Sequence, residues 1–333
     1  MHGICYKNTQ TNFPGFPSDY HIRYPYGYAY ESNTHFIHFY GVHDSFYSIE
    51  NLSFVSEGKS GSLTDWVKRI FGAHDINPLS NKIGEVVEGI WRPGFCFFET
   101  IPTALNIDLH EQMSSGQALR NIINKIDELL LYIEPSMQGL QSYGHKSREL
   151  LILACTEVEN QWASLIKKSN LYQPNNNKQK FTTNDYVKLL EQCHFNEYQI
   201  EFKNYAGLKF VPFANWSATD PTQSLQWYNA YNKTKHDRAQ GFQFATLENV
   251  MNAVSACLIM YCVKYGPHDL LYKNNQLSGV INEHFDISLQ NSNLASHYIA
   301  EVTLPLNAGE TLNVQNIYNA DQICSWTTKS LII

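Results

Sequence analysis

The sequence predicts an α+β protein, with a helical bundle in the middle of the chain and β-rich segments on both sides of it. Apolar residues repeat at spacings of three and four in three long central stretches, which is the period of an amphipathic helix. The two ends instead combine aromatic residues, turn residues and short alternating runs. We therefore expect three parts: a β-rich or mixed unit over 1–112, the bundle over 113–266, and a β-containing segment over 267–333.

Short strands and turns are predicted for the N-terminal unit. Eight tyrosines precede Ser48, and residues 35–43 read His-Phe-Ile-His-Phe-Tyr-Gly-Val-His, a composition typical of strands. Residues 297–304 alternate in a similar way, so we expect strands there that pack on the N-terminal unit. The tyrosines between 24 and 30 either offer a surface for stacking bases or, as is commoner for such dense tyrosines, pack loops or form a protein interface.

Each of the three central stretches presents one apolar face. The first opens after Ser115 and ends at Pro135, the second runs from about 147 to 168, and the third from about 237 to 264. Their apolar residues are Leu119, Ile122, Ile126, Leu129 and Ile133; Leu151, Ala154, Val158, Trp162 and Leu165; and Phe244, Leu247, Met251, Val254, Leu258 and Tyr261. Amphipathic helices of this length are best explained by burial of a shared core, since isolated helices are only marginally stable.

The segment 227–238 is the part of the chain richest in functional groups. It reads Trp-Tyr-Asn-Ala-Tyr-Asn-Lys-Thr-Lys-His-Asp-Arg and precedes the third apolar stretch. We expect the third helix to begin near Asp237, so that its free backbone N–H groups and positive dipole end point towards Lys235, His236 and Arg238. Such a cluster suits a phosphate group. The alternative is a charged helix start that is merely solvated.

Two segments far apart in the chain form a recognisable combination. Residues 148–159 read Arg-Glu-Leu-Leu-Ile-Leu-Ala-Cys-Thr-Glu-Val-Glu, and Pro212, Trp216 and then Tyr-Asn-Lys-Thr-Lys-His-Asp-Arg at 231–238 follow them. This combination resembles the HEPN superfamily, and in particular a prokaryotic branch with a Tyr-Asn-x-x-Lys-His-Asp-Arg signature. The resemblance covers about residues 114–265. It implies an antiparallel helical bundle that cleaves RNA or binds nucleotides, in toxin, abortive-infection and other defence systems.

The ribonucleases of that superfamily cleave without a metal ion and carry an Arg, commonly a polar residue, and then a His a few residues later. By this resemblance His236 takes the His position and Asn232 takes the polar position. The Arg position falls on Tyr231. The nearest guanidinium along the segment is that of Arg238, on the far side of the His.

The chemistry of RNA cleavage assigns roles to the same residues. Attack by the 2′-hydroxyl of RNA needs a base, a cation that stabilises the crowded phosphorane, and an acid for the leaving oxygen. His236 suits the base or the acid, because imidazole titrates near neutral pH. Lys235 and Arg238 suit electrostatic stabilisation, and Asn232 suits a hydrogen bond to a phosphate or a ribose. The candidate substrate contacts are Tyr231, Trp227, Lys233 and Glu157.

The leading functional prediction is RNA cleavage or RNA binding, in a prokaryotic defence or stress system as the resemblance implies. The alternative is a non-catalytic interaction or nucleotide-binding scaffold, in which His236 pairs with Asp237 or Glu157 and the cluster only starts a helix. A homodimer would place two copies of the cluster across a two-fold axis and form one composite cleft. An antitoxin or another defence-system protein is a further expected partner.

The composition of the chain limits which of these functions are possible. With 43% hydrophobic and 14% aromatic residues, the 333-residue chain can bury a large core. Its net charge of −7 excludes a broad surface that coats nucleic acid, so contact with RNA is expected to be local. The seven scattered cysteines contain no Cys-x-x-Cys pair, and we predict no disulfide framework, no metal and no other cofactor. The longest apolar stretch is too short for a bilayer, which predicts a cytoplasmic location without membrane contact.

Overall fold

The computed structural model describes residues 1–47, 49, 52–173, 180–205, 207–236, 240–273, 276–305 and 308–333, with the backbone alone for His236. Its strands are β1 (Gly3–Lys7), β2 (Tyr26–Glu31), β3 (His35–Gly41), β4 (Ser53–Gly58), β5 (His74–Pro78), β6 (Glu85–Val87), β7 (Tyr198–Phe202), β8 (Lys209–Phe210), β9 (Phe285–Leu289), β10 (Asn313–Asn316) and β11 (Thr327–Lys329). Its helices are α1 (Tyr20–Arg23), α2 (Leu63–Phe71), α3 (Ile101–Ala104), α4 (Leu109–Leu130), α5 (His145–Lys167), α6 (Thr183–Tyr186), α7 (Leu189–Cys193), α8 (Gln226–His236), α9 (Leu247–Tyr265), α10 (His268–Leu271) and α11 (Gln276–His284).

The chain divides into two compact units, and each is assembled from separated stretches of sequence. Unit 1 comprises residues 1–87, 92–105 and 291–329, and unit 2 comprises residues 88–91, 106–290 and 330–333. The N-terminal and C-terminal segments of the chain therefore fold together in unit 1. Helices α4 to α11 and strands β7 to β9 belong to unit 2.

A six-stranded antiparallel sheet forms the framework of unit 1. Its strand order is β10-β4-β3-β2-β1-β5. The register pairs Cys5 with Tyr28 and Tyr28 with Phe39, so these three side chains lie on one face of the sheet. Strand β10 comes from the C-terminal segment and pairs with β4, with Val314 opposite Val55. A separate parallel pair joins β11 to β6.

Both faces of this sheet are covered. All seven residues of β3 are buried, which is why this strand reads as a nearly continuous aromatic and apolar run. Trp66, Val67 and Phe71 of α2 pack in a hydrophobic cluster on one face, and Ile299 and Ile317 of the C-terminal segment pack in a second cluster on the other face. The sheet is therefore the buried centre of unit 1.

Unit 2 combines four long helices with a small sheet. Helix α9 packs against α4, α5 and α8, and α5 also contacts α4 and α8. Strand β7 lies between β8 and β9 in an antiparallel three-stranded sheet. Helix α9 is buried without interruption from Ala253 to Tyr265. No helix in the described residues has the length and apolarity needed to cross a membrane.

The predicted fold class is wrong. The structure is a mixture of helices and strands that contains a large six-stranded antiparallel sheet, and it does not show a central helical bundle between two β-rich segments. The long helices share unit 2 with strands β7 to β9, of which β7 and β8 lie within residues 113–266, the part predicted to be a helical bundle. Helical periodicity reports the apolar face of one helix, but it does not report which element covers that face. The prediction is wrong because it assumed that the apolar faces of the helices are covered only by one another.

The helices themselves follow the predicted periodicity closely. The prediction of a helix from about 147 to 168 is confirmed by α5, which spans His145–Lys167. The first predicted helix is present as α4, but it begins at Leu109, before Ser115. Asp108 caps this earlier start, because its carboxylate accepts hydrogen bonds from the backbone N–H groups of His110 at 2.8 Å and Glu111 at 3.2 Å.

Two boundaries differ from the sequence prediction. The third helix does not begin near Asp237, because α9 starts at Leu247, where Thr246 caps it by accepting a hydrogen bond from the Asn249 N–H. Residues 297–304 were expected to form strands, but Val302 makes only an isolated bridge to Ile323. Their apolar side chains pack on the face of the sheet in unit 1 instead, so their alternation reflects burial and not a hydrogen-bonded ladder.

Gly94 provides a test of how tightly the chain packs in unit 1. Its φ of +121° lies in a region that other residues rarely adopt, and an added Cβ would lie 1.7 Å from the carbonyl oxygen of Tyr298. We predict that Gly94→Ala lowers the free energy of unfolding by about 3–5 kcal/mol, because backbone strain and a backbone clash add together. Urea denaturation measures the loss.

Gly61→Ala is the matched control for that experiment. Gly61 also has a positive φ, +82°, but nothing lies within 4 Å of the added Cβ. Its substitution should therefore cost only the left-handed backbone penalty, about 1–2 kcal/mol. Equal losses for the two variants would show that Tyr298 moves away freely and that the close approach at Gly94 has no energetic weight.

Candidate functional site

Helix α8 carries most of the residues that the sequence analysis selected, and it packs against α5 and α9. Trp227 is 2% exposed, and its indole Nε1 donates a hydrogen bond to the carbonyl of Pro212 at 3.0 Å. Tyr231 is fully buried. Both rings therefore lie in the core of unit 2, and not at a surface where they could contact a substrate as predicted. The reason is that α8 turns its aromatic face towards its neighbours.

A carboxylate on α5 holds the tyrosines of α8. The hydroxyl of Tyr228 donates to Oε1 of Glu159 at 2.5 Å, and the hydroxyl of Tyr231 donates to Oε2 at 3.0 Å. The Lys235 ammonium in turn donates to the Tyr231 hydroxyl at 2.7 Å and lies 4.9 Å from the centre of its ring. Hydrogen bonds thus connect a half-buried carboxylate with a cation at the surface.

The protonation states of these groups follow from burial and hydrogen bonding. Burial, and then the hydrogen bond to Glu159, raises the pKa of Tyr228 well above its usual value. Burial also raises the pKa of Tyr231. The hydrogen bond to Tyr231 raises the pKa of Lys235. Near neutral pH both phenols therefore keep their protons, and Lys235 carries a positive charge.

The basic cluster lies at the C-terminal end of a helix and not at an N-terminal end. Helix α8 spans Gln226–His236, so Lys235 and His236 belong to its last turn. The last turn of a helix exposes carbonyl groups and carries a partial negative charge, which favours cations. This corrects the expectation that free backbone N–H groups help to bind an anion here. The anion-binding capacity of this end must come from side chains.

Arg148 of α5 brings a guanidinium to the same end of α8. Its Nη2 donates a hydrogen bond to the Thr234 carbonyl at 3.3 Å, which satisfies one of the last carbonyls of the helix. The Nε of Arg148 is buried and has no hydrogen-bond partner in the described part of the chain. Arg148 therefore contributes a positive charge beside the turn that carries Lys235 and His236.

Two other residues of the cluster are accessible. Lys233 is exposed, and its ammonium lies 4.4 Å from the centre of the Phe244 ring. Asn232 is half-buried, and its amide forms no hydrogen bond with the residues that the structure describes. An amide without an internal partner remains available to a ligand. Asn232 is thus available to a ligand, and Lys233 lies on the solvent side of α8.

Glu157 lies on the opposite edge of α5 from Glu159. The Oε1 of Glu157 accepts a hydrogen bond from Gln161 at 2.6 Å, and Gln161 also donates to Ser115 of α4 at 2.8 Å. The sequence analysis assigned Glu157 to the substrate site, but it is Glu159 that contacts α8. Two residues along a helix change the direction of a side chain by about 200°, so the choice between neighbouring glutamates depends on which helix packs there.

Two of the predicted catalytic groups lie outside the described residues. These are the side chain of His236 and the whole of Arg238, so their roles stay predictions. Among the residues that the structure does describe, no group of three or more His, Cys, Asp or Glu side chains is placed to hold a metal ion. The seven cysteines all fall within these residues and are free thiols.

The site residues predicted from the sequence did not include Glu159, Tyr228 or Arg148. One signal was present, because Tyr228, Tyr231 and Lys235 are spaced by three and four residues and must share one face of a helix. Two phenols and an ammonium on one face require an acceptor on the neighbouring element. The sequence does not reveal which neighbour supplies this acceptor.

Comparisons with known proteins do not add a relative to this picture. No protein-family profile matches the chain, and neither the curated proteins nor the solved structures contain a significant match. A role for the cluster must therefore be argued from its own residues.

The Glu159 carboxylate is expected to stabilise unit 2. Glu159→Ala removes the carboxylate that accepts from the buried hydroxyls of Tyr228 and Tyr231, at a cost of about 1–3 kcal/mol for each phenol. We predict a matching fall in the free energy of unfolding, measured by urea denaturation. The control is Glu149→Ala on the same helix, which removes a largely exposed ion pair with Lys125 and should cost less than about 1 kcal/mol. Equal effects would mean that solvent or another group replaces Glu159.

Proposed function

We propose that the protein binds RNA at the C-terminal end of α8 and cleaves it there without a metal ion. The observation that carries this proposal is the position of Arg148, whose guanidinium lies at the Thr234 carbonyl beside the turn of Lys235 and His236. The last turn of α8 thus carries one cation, Lys235, and α5 brings a second, Arg148, to a carbonyl of the same turn. Converging Lys and Arg side chains are what a phosphate group requires.

The arrangement fits the demands of cleavage by the 2′-hydroxyl of RNA. In this scheme His236 accepts the proton of that hydroxyl, the 2′-oxygen attacks the adjacent phosphorus, and the proton is returned to the leaving 5′-oxygen. Arg148 and Lys235 stabilise the negative charge that develops on the phosphorane. Asn232, whose amide lacks an internal partner, binds a phosphate oxygen or a ribose. The products are a 2′,3′-cyclic phosphate and a 5′-hydroxyl.

Two features of the described residues support a local and prearranged site. Lys235 is oriented by its hydrogen bond to Tyr231, so its charge needs little reordering to meet a ligand. The net charge of −7 disfavours contact with long stretches of RNA backbone, so binding is confined to a few phosphates. The chain carries a Tyr at the position where HEPN ribonucleases carry an Arg, and Arg148 joins Arg238 as a second source of the guanidinium.

The biological setting of the proposal rests on the resemblance to HEPN proteins. The residue motif supports a role in a prokaryotic defence or stress system, with an antitoxin or another defence-system protein as the partner. A homodimer would place two α8 ends across a two-fold axis and double the local positive charge. The mass of the purified protein in solution tests for the homodimer. Co-expression with the product of a neighbouring gene, followed by the same measurement, tests for the partner protein.

A second function, a non-catalytic nucleotide-binding or interaction scaffold, is favoured by one specific observation. Tyr228, Tyr231, Glu159 and Lys235 satisfy one another, so each has a structural role without any ligand. In this case Arg148 and Lys235 serve mainly to neutralise the end of α8. Only the first function requires His236 to transfer a proton. The experiments therefore test this step.

Cleavage is expected to survive a chelator. The purified protein, incubated with unpaired RNA of mixed sequence and EDTA, should produce fragments that end in a 2′,3′-cyclic phosphate, because the proposed chemistry uses side chains alone. His236→Ala should lower the rate at least about 100-fold and change the free energy of unfolding by less than about 1 kcal/mol. Loss of cleavage in EDTA would contradict the proposal. RNA binding without cleavage would favour the scaffold.

The guanidinium groups are expected to act through their geometry as well as their charge. Arg148→Lys and Arg238→Lys keep the charge but lose the planar fork of donors, so each should weaken RNA binding or cleavage about tenfold or more. Lys233→Ala, on the solvent side, should have a smaller effect. The matched control is Arg120→Lys on the exposed surface of α4, which should change nothing. Unchanged binding and cleavage in the three Arg→Lys variants, with a loss only in Lys233→Ala, would show that only diffuse charge matters.

A further inference from the structure

Unit 1 contains a cleft of about 670 Å³ that the proposed function does not use. Strands β1, β2 and β5 line it on one side, and residues 292–295 line it on the other. Its volume is in the range of small-molecule sites, which is roughly 300–1,000 Å³. Lys7, Asp75 and Asn77 form a polar end of the lining, and the rest of the lining mixes polar residues such as Asn293 with apolar residues such as Pro78.

A β-bulge positions the polar end of the cleft. Strand β5 pairs Asn77 with Cys5 and His74 with Lys7, so β5 has one residue more than β1 between these two pairs. Asp75 lies in this bulge and has a φ of +52°. Bulges turn a side chain out of the regular alternation of a strand, and Asp tolerates the left-handed conformation better than most residues. The bulge thereby brings the Asp75 carboxylate to Lys7.

The polar end offers both hydrogen-bond donors and acceptors. The Lys7 ammonium lies 3.1 Å from Oδ2 of Asp75, and about half of each side chain is exposed. The hydrogen bond from Lys7 lowers the pKa of Asp75, so this group is a carboxylate at neutral pH. The amide of Asn77 donates to the Asp75 carbonyl at 2.9 Å, and its own oxygen has no partner in the described chain. Oδ2 of Asp75 also lies 3.2 Å from Nδ1 of His74. The charges of Lys7 and Asp75 cancel, so this pair adds polar groups but no net charge to the end.

Two rings, whose planes are tilted by 37° to each other, form one wall of the cleft. Tyr26 and His43 have ring centres 5.4 Å apart. The imidazole of His43 is fixed, because Nδ1 lies 2.8 Å from a carboxylate oxygen of Asp44 and Nε2 lies 3.0 Å from the Ser292 carbonyl. The hydroxyl of Tyr26 forms no hydrogen bond within the described residues. The wall therefore offers ring faces for stacking and one free hydroxyl.

We propose that this cleft binds a ring that carries a vicinal diol, such as the ribose of a nucleoside or a monosaccharide. A carboxylate can accept hydrogen bonds from two neighbouring hydroxyls, as acidic residues do with ribose in dinucleotide sites, and Asp75 is placed for this. Lys7 donates to one of the same hydroxyls, and the oxygen of Asn77 accepts from a further donor. The face of Tyr26 covers the ring or an attached base. A neutral polar end favours such a ligand over a strongly anionic one.

This site is independent of the proposed RNA site. All of its lining residues belong to unit 1, and the α8 cluster belongs to unit 2. Its ligand would be a small molecule, and its recognition does not involve His236. Failure of RNA cleavage would therefore leave the proposal for the cleft unaffected.

Isothermal titration of the full chain tests the proposal. The probes are adenosine, guanosine, cytidine and uridine, their 2′-deoxy forms, and free ribose, glucose and mannose. We expect at least one diol-bearing probe to bind with a Kd below about 1 mM. If a nucleoside binds, its 2′-deoxy form should bind at least tenfold more weakly. If nucleosides bind and free sugars do not, the ligand that carries the diol is a nucleoside. If free sugars bind and nucleosides do not, it is a sugar. Binding of none, or equal binding of a nucleoside and its deoxy form, overturns the proposal.

Matched variants locate the binding. Asp75→Asn keeps a residue that tolerates the left-handed backbone and removes the charge, and Tyr26→Ala removes the ring; each should weaken binding at least tenfold. Asp321→Asn and Tyr318→Ala are the controls, because both residues are exposed in unit 1 and lie outside the cleft. If Asp75→Asn does not fold, as judged by circular dichroism, Lys7→Met replaces it. The proposal is overturned if the cleft variants bind the ligand with the same affinity as the control variants.

Discussion

Two elements of this chain, β3 and α9, are enclosed by other parts of the protein, and the need to cover them governs the rest of the structure. Every residue of β3 is buried, and so is every residue of α9 from Ala253 to Tyr265. Burial of apolar surface stabilises the folded state by roughly 25 cal/mol per Å². Both elements therefore need other parts of the chain to cover their apolar faces. In unit 1, α2 and the C-terminal segment supply the cover. In unit 2, helices α4, α5 and α8 pack against α9.

The candidate site on α8 is a consequence of this packing. Burial of Tyr231 brings a phenol into the core, and a buried hydroxyl requires a partner. Glu159 supplies this partner for Tyr231 and for Tyr228, and Lys235 completes the series at the surface. The same contacts that attach α8 to α5 therefore determine where a positive charge is presented. The side chains that stabilise unit 2 here are thus also the ones that the proposed ligand site uses.

The two proposed sites differ in their electrostatics. At the end of α8, Arg148 and Lys235 add positive charge beside helix carbonyls, and this favours a phosphate. In the cleft of unit 1, Lys7 and Asp75 neutralise each other, and this favours hydroxyl groups. A chain with a net charge of −7 can bind an anion only where cations are concentrated locally. The contrast is the physical reason why an anionic ligand is proposed for one site and a neutral ligand for the other.

The sequence by itself determined the features that depend on neighbours along the chain. Periodicity identified the helix over 147–168, which appears as α5, and the aromatic run at 35–43 identified β3. Such patterns are local, because the side-chain direction repeats every 3.6 residues in a helix and every two in a strand. The spacing of Tyr231 and Lys235 is local in the same sense, but the third helix was predicted to begin near Asp237, so α8 itself was missed.

Only the tertiary structure decided how these elements combine. Which glutamate of α5 meets α8, whether Arg148 reaches the Thr234 carbonyl, and whether β10 pairs with β4 all depend on residues far apart in the sequence. The start of α9 at Leu247 is decided in the same way, because Leu247 and its neighbour are tied to residues 142–143. The hydrophobic pattern shows that an apolar face must be covered, but it does not show by which element. Several surfaces of the chain could cover it, and the most stable combination decides which one does.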